Sequence, residues 1–304
     1  MMGRLHGAAP GSFEGRSVNE ERGEVEVEGG TVRYRILGEG DRTLVLLHGG
    51  PGGGSLYLQP LEALAGADRR VVLYDQLGCG ESDRPDDPSL WRADRFVDEL
   101  ETLRTYLGLE DFDLYGHSWG GMLATDYALA HQRHLRSLVL ASTIADAALL
   151  KREMARLLEG FPEEIRDTLR RHEQAETTDS PEYQDAIMVV YKTHLCRCDP
   201  WPPEVVKTFE DFAMDVYVPM WGPSEFAFDG NLADWDRVDR LHEIGVPTLI
   251  TVGRYDELTP ACSEQIHERI PDSRLVVFED GSHMTFWEEP QRYLQVVDDF
   301  LRSV

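Results

Sequence analysis

Residues 111–121 read DFDLYGHSWGG. The apolar run from Phe112 to Tyr115 enters Gly116-His117-Ser118-Trp119-Gly120, and the segment from Trp119 to Ala130 has the composition of a helix. A strand that turns sharply into a helix through G-x-S-x-G leaves its serine exposed at the tip, beside the positive end of the helix dipole. Ser118 is therefore the candidate nucleophile. The plainer reading, a serine that only caps a helix, has to be weighed against what flanks it.

Outward from this stretch the chain alternates strand and helix. RTLVLLHGG and RRVVLYDQLG are short apolar runs ending in glycine, as buried parallel strands do. Phe96, Leu100, Leu103 and Leu107 recur at helical spacing and stop at Gly108. LRSLVLAS, VPTLITVG and SRLVVFEDG read as further strands, and PQRYLQVVDDFLRSV as a closing amphipathic helix. EVEVEGGTVRYRILG alternates around Gly29-Gly30 in the manner of a hairpin. The pattern predicts an α/β fold with a mostly parallel, doubly wound sheet. The rhythm breaks after Ser142. Residues 145–234 read as helices with proline interruptions, which predicts a helical cap inserted into a core made of 21–144 and 235–304. Residues 1–20 show no periodicity and are expected to be a mobile tail.

A serine nucleophile needs a base, and the base needs an acid to orient it. On a sheet with an elbow of this kind the chain order is serine, acid, histidine, each just past a strand. Asp256 follows VPTLITVG and His283 follows SRLVVFEDG. Glu257 is the rival for the acid; Asp256 is preferred. The other histidines, including His117 inside the elbow and His48 before the glycine-rich loop, read as structural or surface residues. His48 to Gly54 (HGGPGGG) lacks the Lys-Ser/Thr ending of a phosphate loop and the spacing of a dinucleotide fingerprint. After a strand in this setting it supplies an oxyanion donor, so the backbone N–H groups of Gly50 and Trp119 are the expected pair.

Composition narrows the function classes. The chain has 304 residues, 41% hydrophobic and 28% charged, enough for one large core. With 30 Lys and Arg against 56 Asp and Glu, the net charge of −26 disfavours a nucleic-acid partner or an anionic membrane surface. The 145–234 segment carries 19 acidic and 9 basic residues, so the acidity is spread over the whole chain. No apolar stretch reaches the length of a membrane span, and the N-terminus lacks the apolar core of a secretory signal. Cys79, Cys196, Cys198 and Cys262 fit neither a disulfide framework nor a zinc spacing. Free thiols in the cytoplasm are expected, with no metal and no organic cofactor.

HGGPGG, DQLGCGES, GHSWGG, GPSEF, GRYDELTP and GSHMTFWEEP occur together in this order. From about Glu24 to the C-terminus the chain resembles the proline iminopeptidase (prolyl aminopeptidase) family of α/β-hydrolases. That resemblance implies an exopeptidase with a helical cap, which removes an N-terminal residue, often proline, from a peptide or amide. It also implies that Glu225 in GPSEF and Glu257 bind the substrate's free α-amine, with Tyr217 a further contact. An α-amino group is mostly a cation at pH 7, and carboxylates in a shielded cleft hold it by charge-assisted hydrogen bonds. Trp221 stands where the family usually has a small polar residue, so it is expected to reshape the pocket for the first side chain. The partner implied is a small molecule or short peptide with a free amine. Three alternatives stay open: removal of an aminoacyl group from a non-peptide amine, a general carboxylesterase or lactonase, and a ligand-binding receptor on a hydrolase fold. An intact Ser–Asp–His set argues against the receptor.

Overall fold

A computed structural model describes residues 19–304 of the chain; most of the expected tail, 1–18, lies outside the described residues. The sheet has eight strands: β1 (Glu20–Val27), β2 (Gly30–Leu37), β3 (Arg42–Leu47), β4 (Arg69–Asp75), β5 (Phe112–His117), β6 (Leu135–Ala141), β7 (Thr248–Gly253) and β8 (Ser273–Phe278). Their spatial order is β1-β2-β4-β3-β5-β6-β7-β8. β1 and β2 form the antiparallel hairpin, β2 runs antiparallel to β4, and every pairing from β4 to β8 is parallel. The hairpin begins earlier than its alternation suggests, with Glu20 already paired to Leu37. Residues 20–23 carry no apolar side chain to betray a strand.

The parallel strands are continuous apolar runs because both faces are covered. Side chains alternate between two cores. Val45, Leu47, Val72 and Leu114 face one with α1 (Ala93–Tyr106) and α2 (Trp119–His131). Leu44, Leu46, Val71 and Tyr115 face the other with the 3₁₀ turn Leu56–Leu64.

Between β6 and β7 the chain forms α3 (Ala147–Leu158), α4 (Glu163–Gln174), α5 (Pro181–His194), α6 (Pro203–Glu210) and α7 (Met214–Met220). Asp146 caps α3 by accepting from the Ala148 N–H at 2.7 Å, and Ser180 caps α5, with Pro181 at its first turn. α4 and α5 share a small core of their own around Leu169, Tyr183, Ile187 and Val190. After β7 come α8 (Pro260–His267), α9 (Thr285–Glu288) and α10 (Pro290–Ser303), the last buried through Tyr293, Val297, Phe300 and Leu301. No described helix is long and apolar enough to cross a membrane. The loops after β3, β5, β7 and β8 leave from the carboxyl ends of parallel neighbours, where ligand sites of open α/β sheets form.

Candidate active site

Ser118 joins β5 to α2 at φ +58°, ψ −125°. An L-residue in that region is strained by about 1–3 kcal/mol and persists only when its surroundings hold it. The Ser118 N–H donates to the Ala141 carbonyl at 2.9 Å, and the Thr143 hydroxyl donates to the Ser118 carbonyl at 2.8 Å. The flanking glycines are there for close approach. A Cβ on Gly116 would lie 2.2 Å from the Gly120 carbonyl oxygen, and one on Gly120 would lie 2.3 Å from that of Leu47.

His283 is 4% exposed and is tied down on three sides. Its Nδ1 meets Asp256 Oδ1 at 2.8 Å, its N–H donates to the His194 carbonyl, and its carbonyl accepts from His117 Nε2 at 2.9 Å. Asp256 is held in turn by the Leu258 N–H at 2.9 Å. Glu257, the rival acid, approaches the other ring nitrogen: its Oε1 lies 4.0 Å from His283 Nε2. Burial alone would lower the basicity of His283, but Asp256, Glu257 and Glu225 overcome it and carry the imidazole up to about 9. Ser118 lines the same cavity as His283 and is not hydrogen-bonded to it.

Glu225 and Glu257 both line this cavity. Glu225 accepts from the Tyr217 hydroxyl at 3.0 Å. Glu257 is 2% exposed, and its Oε2 has no hydrogen-bond partner among the described residues. Burial raises both carboxyls, and Glu225 raises Glu257 further. Among the described residues neither has an Arg or Lys partner, and the basic group near them is His283. Two buried carboxyls with no Arg or Lys partner would be stabilised by an added cation.

Among the described residues neither the Gly50 nor the Trp119 N–H has an acceptor. Gly50 sits at φ +120°, which a side chain would resist. The Trp119 ring is buried, and its Nε1 donates to Gln76 Oε1, fixing the start of α2. His48 is structural: its Nε2 accepts from the Gln76 N–H at 3.0 Å, and its Nδ1 donates to the Gly49 carbonyl.

The expectation for Trp221 needs correction. Its indole does not line the cavity. It is buried face to face on Phe228, with ring centroids 4.0 Å apart, and its Nε1 reaches the Glu225 carbonyl at 3.3 Å. The ring therefore props the Glu225 backbone from behind rather than narrowing the pocket.

Two features gave no signal in the sequence. One is a chain of hydrogen bonds from the glycine-rich loop to the base. The Gly49 N–H donates to Tyr57 Oη at 2.7 Å, Tyr57 donates to His117 Nδ1 at 2.8 Å, and His117 Nε2 donates to the His283 carbonyl. Burial keeps His117 neutral, as this relay requires. The other is the lining of the cavity, about 380 Å³, to which the segment between β6 and β7 contributes Ile187, Tyr191, Phe209, Phe212 and Met214. No cluster of three or more His, Cys, Asp or Glu side chains suited to a metal ion occurs among the described residues.

Residues 42–290 match the family model of the alpha/beta hydrolase fold. The chain is 41% identical to a proline iminopeptidase of Saccharolobus solfataricus over 297 residues, 96% of each chain. The chain belongs to the proline iminopeptidase family of α/β-hydrolases. Solved structures agree. The crystal structure of VinJ shares a TM-score of 0.90 at 40% identity, covering 93% of this chain and 98% of that one. That of the Mycobacterium smegmatis proline iminopeptidase gives 0.86 at 34%, with the same coverage. As a member of this family the protein is a hydrolase of the aminopeptidase type.

Proposed function

We propose that the protein is a serine aminopeptidase that removes an N-terminal residue, proline or another small apolar one, from a peptide or amide. The observation that carries this reading is the meeting of three features in one cavity: Ser118 on a strained elbow, the His283–Asp256 pair, and two carboxylates with no Arg or Lys partner among the described residues. The substrate's ammonium group binds between Glu225 and Glu257, with the Tyr217 hydroxyl beside it. That anchor fixes how far the chain reaches, so Ser118 meets only the first carbonyl.

Chemistry is a two-step acyl transfer. Ser118 Oγ attacks the carbonyl as His283 Nε2 takes its proton, and Asp256 holds the imidazole and stabilises its cation. The Gly50 and Trp119 N–H groups receive the oxyanion; losing one such donor costs about 3 kcal/mol of transition-state stabilisation. His283 then protonates the leaving amine, and water, activated by His283, releases the aminoacyl group from Ser118. Every proton taken is returned within the cycle, so the residues present suffice for the reaction. Residues 145–234 serve as the cap that shields the site, and the four free thiols suit a reducing cytoplasm.

A second reading concerns the leaving group. The inserted segment lines the cavity with apolar Ile187, Phe209, Phe212 and Met214 beside polar Thr178, Asp179 and Gln184, a mixed wall that accommodates a non-peptide amine with an apolar body as well as a peptide tail. The Glu225→Gln variant tests the amine anchor. We expect KM for prolyl amides to rise about tenfold or more, the scale of one lost charge-assisted contact. An unchanged KM would remove Glu225 from the site.

A further inference from the structure

Glu257 occupies two relationships at once. Its Oε1 stands 4.0 Å from His283 Nε2, the nitrogen that takes the Ser118 proton in the proposed reaction, and its Oε2 is buried in the same cavity without a partner among the described residues. The groups facing His283 come from several elements: Asp256 and Glu257 after β7, Glu225 after α7, His117 from β5 with ring centroids 4.6 Å apart, and His194 at the end of α5. Both histidines are held neutral by burial, so the field at His283 is that of the carboxylates. Among the described residues the His283 ring is the basic group these carboxyls face, and its proton offsets the burial that otherwise pushes both carboxyls up. An imidazolium with its Nε2 proton in place cannot act as a base.

We propose that Glu257 couples recognition of the substrate's ammonium group to activation of His283. When the ammonium enters between Glu225 and Glu257 it supplies the positive charge that the imidazolium supplied before. The Nε2 proton leaves to solvent, and His283 becomes the neutral base. One cation replaces another, and one proton is released per substrate bound. Selectivity for a free amine thus lies in switching on the base as well as in binding, and a neutral ester that fits the cavity meets a protonated His283 at pH 7. This inference rests on the amine-binding role given above to Glu225 and Glu257.

The test compares pH–rate profiles for p-nitrophenyl butyrate, which has no amine, corrected for spontaneous hydrolysis, and for prolyl p-nitroanilide. In the wild type, kcat/KM for the ester reports the free enzyme and kcat for the anilide reports the complex. We expect the acid limb of the ester profile to lie near about 9, and the limb of the anilide kcat to lie at least about one pH unit lower, a tenfold difference in the base available below it. In Glu257→Gln the ester limb moves down, and ester hydrolysis at pH 7 rises about tenfold while anilide hydrolysis falls. Coincident limbs in the wild type, or an ester rate at pH 7 that falls together with the anilide rate in the variant, would overturn the coupling. The wild-type comparison stands if the variant does not fold. Failure to cleave the anilide at all would sink the aminopeptidase reading instead, so the two failures are distinct.

Discussion

Tyr57 shows how far the chemistry depends on residues that touch no reacting atom. Its hydroxyl takes the Gly49 N–H and gives its own proton to His117, which in turn holds the carbonyl of His283. Replacing it by phenylalanine leaves a buried N–H and a buried imidazole nitrogen without partners, each costing about 1–3 kcal/mol. We expect Tyr57→Phe to lower kcat about tenfold with little change in KM, because it loosens the base and the neighbouring oxyanion loop rather than the amine anchor. Steady-state kinetics check this; an unchanged kcat would show that the relay carries no catalytic weight. At this scale the meeting of Ser118, Asp256 and His283 was legible because they lie in the segments just past β5, β7 and β8, so their order along the chain is also their order along the sheet. Tyr57 was invisible, since its role depends on the 3₁₀ turn folding back over the elbow. Trp221 was misread for a related reason: its place beside Glu225 in sequence says nothing about which way the indole points.

The elements that carry the site are joined by buried polar contacts. Arg95 and Glu99 form an ion pair one turn apart on α1, both with side chains fully buried. Arg95 also reaches the Glu28 carbonyl in the β1–β2 turn, and Glu99 accepts from the Leu77 N–H in the loop after β4. Burial pushes Glu99 up to about 7 even with Arg95 beside it. Breaking a pair of this kind strands a charge away from water and costs about 3–5 kcal/mol. Arg95→Ala should therefore lower the unfolding free energy, measured by urea denaturation, by an amount in that range, and a loss below about 1 kcal/mol would mean that Glu99 is neutral and needs no partner. The parallel strands were readable as elements because two covered faces demand unbroken apolar runs. The helices between β6 and β7 were readable as helices, from their spacing and prolines. Their packing was not, because α4 and α5 bury a core of their own that leaves no mark on the spacing toward the sheet.

Across the whole molecule the excess of acid is broad, with a net charge of −26 spread through core and inserted helices alike. A general field of this sign attracts any cation and selects none. On the proposed reading, discrimination comes from the short-range arrangement at Glu225, Glu257 and His283, which share one cavity. The most direct measurement of that claim is hydrolysis at neutral pH of prolyl, alanyl, leucyl and phenylalanyl amides, each with a free and with an acetylated amine. Cleavage is expected to be confined to the free-amine members, with loss of about 100-fold or more on acetylation, as when buried carboxylates lose their cationic partner. Equal rates on free and acetylated amides would contradict it and leave a general hydrolase on the same triad.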